Sequence, residues 1–258
     1  MPNTPSHSTI AVAIPCFNEA PAIALVIASW REALPLAEIV VFDNNSTDGT
    51  GAVALASGAR VVTVPEQGKG HAVRAIFRDL RDRSAVILVD GDGTYPASEA
   101  SKLLAPVLDG SADMTIGARQ PVAELGAMSP VRGLGNVLIR AAFRVLIGRG
   151  PGDLLSGYRV FSRRFLNEIT PRSSGFEIET EIAGAAVAKG MRTLEIPVPY
   201  YPRIAGTASK LRAFRDGRRI LWTILVLSAR LRPMRLALIA LLPITIMVMV
   251  ILRSITRP

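Results

Sequence analysis

Four short apolar segments, each followed directly by a polar loop, constrain the fold of this 258-residue chain. They cover residues 9–14, 37–42, 59–65 and 84–89, and helical patterns follow the first and third of them. Strands that alternate with helices usually form a mostly parallel sheet, and ligands bind in the crevice outside the carboxyl ends of its strands. We therefore predict an α/β fold whose functional site is built from the loops that follow these strands.

The fourth apolar segment ends on two carboxylates, Asp90 and Asp92, which are separated by Gly91. Side chains alternate along an extended chain, so both carboxylates point the same way, and like charges this close repel unless a cation neutralises them. Mg²⁺ commonly binds through one or two carboxylates together with phosphate oxygens of a substrate. The segment therefore predicts a Mg²⁺ or Mn²⁺ site, although the same residues also form ordinary turns and parts of calcium loops.

The remaining loops carry polar groups with more than one interpretation. Residues 43–49 can hydrogen-bond a ribose or a base, or simply cap turns. The GlyLysGly at 68–70 lacks the full P-loop pattern and does not support a phosphate site of that type. Cys16 is the only cysteine, which excludes an internal disulfide. Glu177 and Glu181 lie one turn apart at a predicted helix start, where a helix-dipole role and a functional role both stay open.

The positive charge of the chain is concentrated at its C-terminal end. The net charge is +9, yet residues 203–258 hold eleven Arg or Lys against one Asp, which leaves the preceding part near neutrality. These charges flank apolar stretches and do not form a basic face with interleaved aromatic residues, so we expect no nucleic-acid partner. Residues 236–252 carry no charge. As a helix they would extend about 25 Å, close to the thickness of a bilayer core of roughly 30 Å.

We therefore predict an association with membrane lipids. Residues 211–232 are expected to form an amphipathic juxtamembrane helix whose arginines meet anionic headgroups, and residues 233–258 a transmembrane or membrane-inserted helix. More positive charge before the uncharged run than after it predicts a cytoplasmic location for the preceding domain. Residues 1–8 form a polar tail that does not support secretion. The alternative is a C-terminal helical hairpin of a soluble oligomer, and a homo-oligomer stays possible in either case.

Six motifs occur in a characteristic order over residues 9–211: IPCFNEA, VVFDNNSTDGT, GKGHAVR, VDGDGTYP, IGAR and SGYRVFSRR. In this order the chain resembles family 2 glycosyltransferases of the GT-A fold. More narrowly, it resembles the branch that contains dolichyl-phosphate mannose synthase and bacterial polyprenyl-phosphate sugar transferases. The resemblance implies a nucleotide-diphospho-sugar transferase fold with a mostly parallel central sheet, and it implies that the catalytic domain covers residues 9–210.

The resemblance also implies roles for individual residues. Asp90 and Asp92 are the expected metal ligands, with Asp92 the more direct one. The expected nucleotide-sugar contacts are Pro15, Phe17, Glu19, Val41, Asp43, Lys69, Asp90, Gly91, Arg119, Arg203 and Lys210. The expected acceptor-phosphate contacts are Arg119, Arg132 and Asn136, and the expected catalytic residues are Asp92, Arg119, Arg132 and Asp153. The chain departs from mannose synthases at Phe17, at Thr94 and in the spacing from Arg203 to Lys210, which favours a UDP donor over a GDP donor.

The reaction implied by the resemblance is inverting transfer of a hexose from a UDP- or GDP-linked donor to a polyprenyl or dolichyl monophosphate. The second pKa of such a phosphate is about 6, so the acceptor is largely ionised at neutral pH and needs no general base. Asp153 is the fallback base. Two alternatives stay open: a transferase of the same fold that acts on a hydroxyl acceptor, which would need a base, and a non-catalytic membrane scaffold.

Overall fold

The structure, a computed structural model, describes residues 10–122, 130–210, 213–239 and 241. Its strands form a single sheet and comprise β1 (Ile10–Cys16), β2 (Glu38–Asp43), β3 (Arg60–Thr63), β4 (Ala85–Leu88), β5 (Met114–Pro121), β6 (Arg159–Ser162) and β7 (Thr193–Tyr200). The strand order is β3-β2-β1-β4-β6-β5-β7. β6 runs antiparallel to both of its neighbours, and every other pairing is parallel. The predicted α/β fold with a mostly parallel sheet is therefore confirmed.

Helices cover both faces of this sheet. They are α1 (Ala20–Ala33), α2 (Thr50–Ala56), α3 (Lys69–Asp79), α4 (Ala100–Leu108), α5 (Pro130–Leu146), α6 (Arg163–Glu168), α7 (Ile178–Ala188) and α8 (Ala213–Leu231), with a short 3-10 helix at Ala97–Glu99. Side chains alternate along β1, so Ala11 and Ala13 belong to the core beneath α3 and α7, whereas Val12 and Ile14 belong to the core beneath α1 and α4. Burial on both faces explains why these strands are continuously apolar.

A third apolar cluster attaches α8 to the rest of the domain. Ile220 and Ile224 of α8 are buried against Ile139 and Phe143 of α5 and against Ala183 of α7. α8 therefore has one face packed on the domain and another that faces outward. This packing places the N-terminal half of α8 beside the carboxyl ends of the strands, where the site described below lies.

The C-terminal predictions are met only in part. α8 lies within the predicted amphipathic segment 211–232, and its outward face exposes Phe214 (92 %) and Trp222 (67 %). Within the part of the chain that the structure describes, no helix combines the length and the apolar character needed to cross a bilayer. Most of the predicted membrane helix at 233–258, and the predicted tail at 1–8, lie outside the described residues. The domain boundaries at 210, 211 and 232 remain predictions.

Candidate active site

A cleft of about 670 Å³ opens at the carboxyl ends of β1 and β4. This volume is typical of pockets that bind small-molecule ligands. The lining residues predicted from the sequence are Pro15, Phe17, Glu19, Lys69, Asp90, Gly91, Asp92, Arg203 and Lys210. The other lining residues, which the sequence analysis did not assign to the nucleotide-sugar site, are Cys16, Asn44, Gln67, Gly68, Ala72, Ser174, Gly175, Phe176, Ser209, Arg215, Asp216 and Arg219. The carboxyl-end loops and α8 thus share one cavity.

Asp92 is held rigidly at the floor of the cleft. Its side chain is 2 % exposed, and Oδ1 accepts hydrogen bonds from the Thr94 N–H (3.0 Å) and the Thr94 hydroxyl (2.7 Å). Its Oδ2 forms an ion pair with Arg203 Nη1. Burial and the charge of Asp90 raise the pKa of Asp92 despite Arg203. The carboxylate is therefore fixed in place and lacks sufficient positive charge around it, which is the situation that a bound cation would relieve.

Asp90 takes part in a buried network with Lys69 and Glu179. The Lys69 ammonium donates to Asp90 Oδ1 (2.7 Å) and to Glu179 Oε1 (2.5 Å), and it lies 5.8 Å from the centre of the Phe176 ring. Burial disfavours ionisation of Asp90, but Lys69 more than offsets this and holds the pKa of Asp90 below its ordinary value. Lys69 therefore keeps Asp90, a predicted metal ligand, ionised. Glu179, which the sequence analysis did not assign to the site, positions Lys69.

Glu19 adds a third carboxylate to the cleft. The residue is 6 % exposed, its N–H donates to the Thr50 hydroxyl (2.9 Å), and its Oε2 has no hydrogen-bond partner among the described residues. Burial and the charge of Asp92 raise the pKa of Glu19 to about 7. A buried carboxylate oxygen without a partner, close to the charges of Asp92 and Asp90, indicates that this part of the site is suited to a cationic or proton-donating ligand.

The donor set fits a divalent cation that a substrate helps to hold. Asp90 and Asp92 supply hard oxygen ligands of the kind that Mg²⁺ and Mn²⁺ prefer. No group of three or more His, Cys, Asp or Glu side chains within the described ranges converges to hold a metal ion by itself. The remaining ligands would therefore come from water and substrate phosphate, which is the usual arrangement for Mg²⁺.

The first loop and the segment before α8 lie on opposite sides of the cleft opening. Lys210 Nζ donates to the Asn18 carbonyl (3.2 Å) and lies 5.7 Å from the centre of the Phe17 ring. Arg203 reaches across to Asp92. These contacts place Phe17, Arg203 and Lys210 together at the cleft, as the sequence analysis expected of a donor-binding surface.

The loop after β2 contributes Asn44 to the lining of the cleft. Val41 is fully buried in the core and does not line the cleft, so its expected contact with a nucleotide stays a prediction. Asp43 accepts a hydrogen bond from the Ser46 N–H (3.0 Å) and does not line the cleft. Asn44 lines it instead, and its Oδ1 accepts from the Gly68 N–H (2.6 Å). Asn44 thereby connects two of the loops that form the site.

Arg119 and Asp153 form a closed pair beside the cleft. Arg119 donates from Nε and Nη2 to the two carboxylate oxygens of Asp153 (2.8 and 2.6 Å), and it lies 5.5 Å from the Tyr200 ring centre. Burial opposes ionisation of Asp153, but Arg119 outweighs it and keeps the pKa of Asp153 below its ordinary value. A fully engaged carboxylate of lowered pKa is a poor proton acceptor. The structure therefore disfavours Asp153 as a general base, and neither residue lines the cleft.

The other two predicted acceptor contacts lie on α5. The side chain of Arg132 is outside the described part of the structure. Asn136 is half-buried on α5 and does not line the cleft. In contrast, Arg215 and Arg219 of α8 do line it. Their i, i+4 spacing places them on one helix face, and this spacing was the available sequence signal for their role.

Comparison with known proteins is consistent with this geometry. Residues 11–169 match the family model "Glycosyl transferase family 2". Glycosyltransferase AglJ of Haloferax volcanii is 40 % identical over 213 residues, which cover 83 % of this chain and 70 % of AglJ. Dolichyl-phosphate hexose transferase of the same organism is 33 % identical over 215 residues, which cover 82 % of this chain and 90 % of the relative.

A solved structure shares the fold. The crystal structure of glucosyl-3-phosphoglycerate synthase from Mycobacterium tuberculosis in complex with Mn²⁺, UDP-glucose and phosphoglyceric acid superimposes with a TM-score of 0.68 at 25 % identity. The match covers 86 % of this chain and 80 % of that one. The resemblance stated from the motifs is therefore confirmed at the level of family and fold.

Proposed function

Because this chain belongs to glycosyl transferase family 2, we propose that it transfers a hexose from a UDP- or GDP-linked donor to a polyprenyl or dolichyl monophosphate. The observation that carries the proposal is the cleft itself. It places Asp90 and Asp92 at its floor and a group of cations, Arg203, Lys210 and Arg219, around its opening. The carboxylates can hold a divalent metal, and the cations can bind phosphates. Together they suit a nucleotide diphosphate sugar and a phosphorylated acceptor.

The relatives and the solved structure of similar fold support both substrates. One relative is a dolichyl-phosphate hexose transferase, and the synthase of similar fold was crystallised with Mn²⁺ and UDP-glucose. We favour a UDP donor for this chain, because it departs from mannose synthases at Phe17, at Thr94 and in the spacing from Arg203 to Lys210. Mn²⁺ or Mg²⁺ is the proposed cofactor.

The mechanism assigns each group one task. A divalent metal held by Asp92 and Asp90 would supply charge stabilisation for the departing nucleotide diphosphate. Arg203 and Lys210, which line the cleft, contribute positive charge close to these carboxylates. The acceptor phosphate attacks the anomeric carbon from the opposite side, so the configuration inverts. No residue needs to remove a proton, because the phosphate is already ionised at neutral pH.

A hydroxyl acceptor is the second candidate, and one observation favours it. Glu19 lies buried in the cleft with an unpartnered oxygen, as far as the described residues go, and its pKa is raised to about 7. A carboxylate of that pKa is suited to accept a proton from an attacking hydroxyl. Glu19→Gln separates the two candidates, since transfer to a phosphate tolerates the loss of this carboxylate and transfer to a hydroxyl does not.

We further propose that the domain lies on the cytoplasmic face of a membrane and contacts its lipids through α5 and α8. The exposed apolar side chains Val137 and Leu138 of α5 and Phe214 and Trp222 of α8 support this location. An amphipathic helix with such a face and flanking arginines binds the headgroup region of anionic bilayers. Sedimentation with vesicles that contain or lack anionic lipid tests it: binding to neither kind of vesicle would contradict the proposal.

The enzymatic proposal is tested with a panel of labelled UDP and GDP sugars, a polyprenyl phosphate acceptor and Mg²⁺ or Mn²⁺. We expect one donor to yield a metal-dependent glycolipid, and we expect Asp92→Asn to abolish it. Asp109→Asn is a matched control, because Asp109 is an exposed acid whose carboxylate accepts from the Ser111 N–H in its own turn. Binding of the donor without any prenyl product would reject the acceptor assignment.

A further inference from the structure

A second cavity adjoins the cleft and extends along α8. This groove has a volume of about 540 Å³ and is lined by Ser174, Glu177, Arg218, Arg219, Trp222 and Thr223. Ser174 and Arg219 also line the cleft, so the two cavities meet at these residues. The groove therefore connects the space around Asp90 and Asp92 with the outward face of α8.

The arginines near this junction differ in whether a protein carboxylate neutralises them. Arg203 is paired with Asp92, Arg215 with Asp216 (3.1 Å) and Arg119 with Asp153. Within the described residues, neither Arg218 nor Arg219 forms an ion pair, and both are exposed. Both line the groove, and Arg219 lies where the groove meets the cleft. A guanidinium group without a counter-ion is suited to bind an anion, because it can donate several hydrogen bonds to phosphate oxygens.

The outer part of the groove is suited to hydrocarbon. Trp222 follows Arg219 by about one helical turn, and 67 % of its surface is exposed. The exposed apolar face of α8 continues with Leu225. Among the described residues of the lining, Glu177 is the carboxylate. Its Oε1 accepts from the Gly175 N–H (3.0 Å), which fixes the loop beside it, and its Oε2 has no partner in the described part of the chain. Cations at the inner end and an indole further out match an amphiphile with an anionic head.

We propose that this groove is the acceptor site, with the phosphate of the prenyl phosphate on Arg219 and Arg218 and the first isoprene units along Trp222. This inference rests on the proposed function and differs from the assignment to Arg119, Arg132 and Asn136 made from the sequence. It places the phosphate where the groove meets the cleft that holds the donor. Arg219 thereby acts as the acceptor-binding residue that determines specificity for a phosphate.

The test measures acceptor KM and donor KM separately for Arg219→Ala and Trp222→Ala. Arg230→Ala is the control, because Arg230 is an exposed arginine on the same helix, about three turns further along. Each variant is assayed in one detergent with a long polyprenyl phosphate and with geranyl phosphate, which has only two isoprene units. Retention of the wild-type melting temperature checks that the exposed substitutions leave the fold intact.

Arg219→Ala is expected to raise the KM of both acceptors about tenfold or more, because a charge-assisted hydrogen bond to the phosphate is lost. The donor KM is expected to change less than about twofold. Trp222→Ala is expected to raise the KM of the long acceptor only. The inference is overturned if Arg219→Ala behaves like Arg230→Ala, or if it raises donor KM as much as acceptor KM. Absence of prenyl product from the wild-type enzyme with bound donor would instead reject the proposed function.

Discussion

Replacement of Lys69 by methionine tests whether the buried network beneath the cleft supports the fold as well as the site. Lys69 is 11 % exposed in its side chain and bonds two carboxylates at once, Asp90 at 2.7 Å and Glu179 at 2.5 Å. Unit charges 4 Å apart attract by about 4 kcal/mol at an effective dielectric constant of 20. Removing one partner of a buried ion pair costs about 3 to 5 kcal/mol, because the other charge is left uncompensated. We expect Lys69→Met to lower the free energy of unfolding by about that amount near pH 7.5.

The pH dependence of this loss has a definite sign. Lys69 outweighs the effect of burial and lowers the pKa of Asp90, so its stabilisation is present above the ordinary carboxyl pKa and is lost as the pH falls through the lowered value. In Lys69→Met both carboxylates bind protons more readily. The difference in unfolding free energy between wild type and variant is therefore largest at neutral pH and shrinks in acid.

The assay is denaturant unfolding at pH 7.5 and pH 4.5 in the same detergent. Lys102→Met is the matched control, because Lys102 pairs with Glu99 at 2.7 Å but its side chain is 65 % exposed. Exposed pairs contribute about 0 to 1 kcal/mol. A loss for Lys69→Met no larger than that for Lys102→Met, or equal losses at the two pH values, would refute the reasoning.

Three further predictions concern the same region. Glu19→Gln is expected to stabilise the fold by about 3 kcal/mol at pH 8 and very little near pH 4. The pKa of Glu19 is raised to about 7 in the folded state, so its ionisation destabilises the fold only above the pKa of the unfolded chain. Denaturant unfolding at both pH values measures the difference. Gly157→Ala would place a Cβ 2.2 Å from Asp90 Oδ2, which would displace this carboxylate. We therefore expect weaker Mn²⁺ binding in the presence of UDP, measured by calorimetry. An unchanged Mn²⁺ affinity would contradict the geometry. Asp153→Asn is expected to lower the free energy of unfolding by about 1 to 3 kcal/mol, because its ion pair with Arg119 is lost. We expect kcat to fall less than about tenfold. A folded variant without turnover would restore Asp153 as a base.

The parts of the site that could be predicted are those that local pattern determines. The alternation of strands and helices established the parallel sheet, and the position of Asp90 and Asp92 directly after an apolar run placed them at its carboxyl edge. Parallel strands end at a common edge, so the loop with Phe17 and Glu19 was brought to the same cleft. These inferences need only the direction in which each strand runs and the alternation of side chains between the two faces of a strand.

The remaining features depend on contacts between distant segments. Glu179 meets Lys69 across 110 positions, and Asp153 meets Arg119 across 34. No local pattern distinguishes an arginine that will be paired with a carboxylate from one that remains free for phosphate. For that reason the sequence analysis assigned Arg119 to the acceptor. It expected the arginines of segment 211–232, Arg219 among them, to meet anionic lipid heads and a lipid phosphate, whereas the place of Arg219 at the cleft follows from the packing of α8 on α5 and α7.

The central claim, transfer to a phosphate, is tested most directly by a pair of acceptors that differ only in that group. Purified full-length protein is given its labelled donor and Mn²⁺ with either a polyprenyl phosphate or the polyprenol of the same chain length, and the products are identified by mass spectrometry. We predict a sugar phosphodiester of inverted anomeric configuration from the phosphate and no product from the alcohol. A glycoside formed from the alcohol, at a rate equal to or above that with the phosphate, would contradict the account.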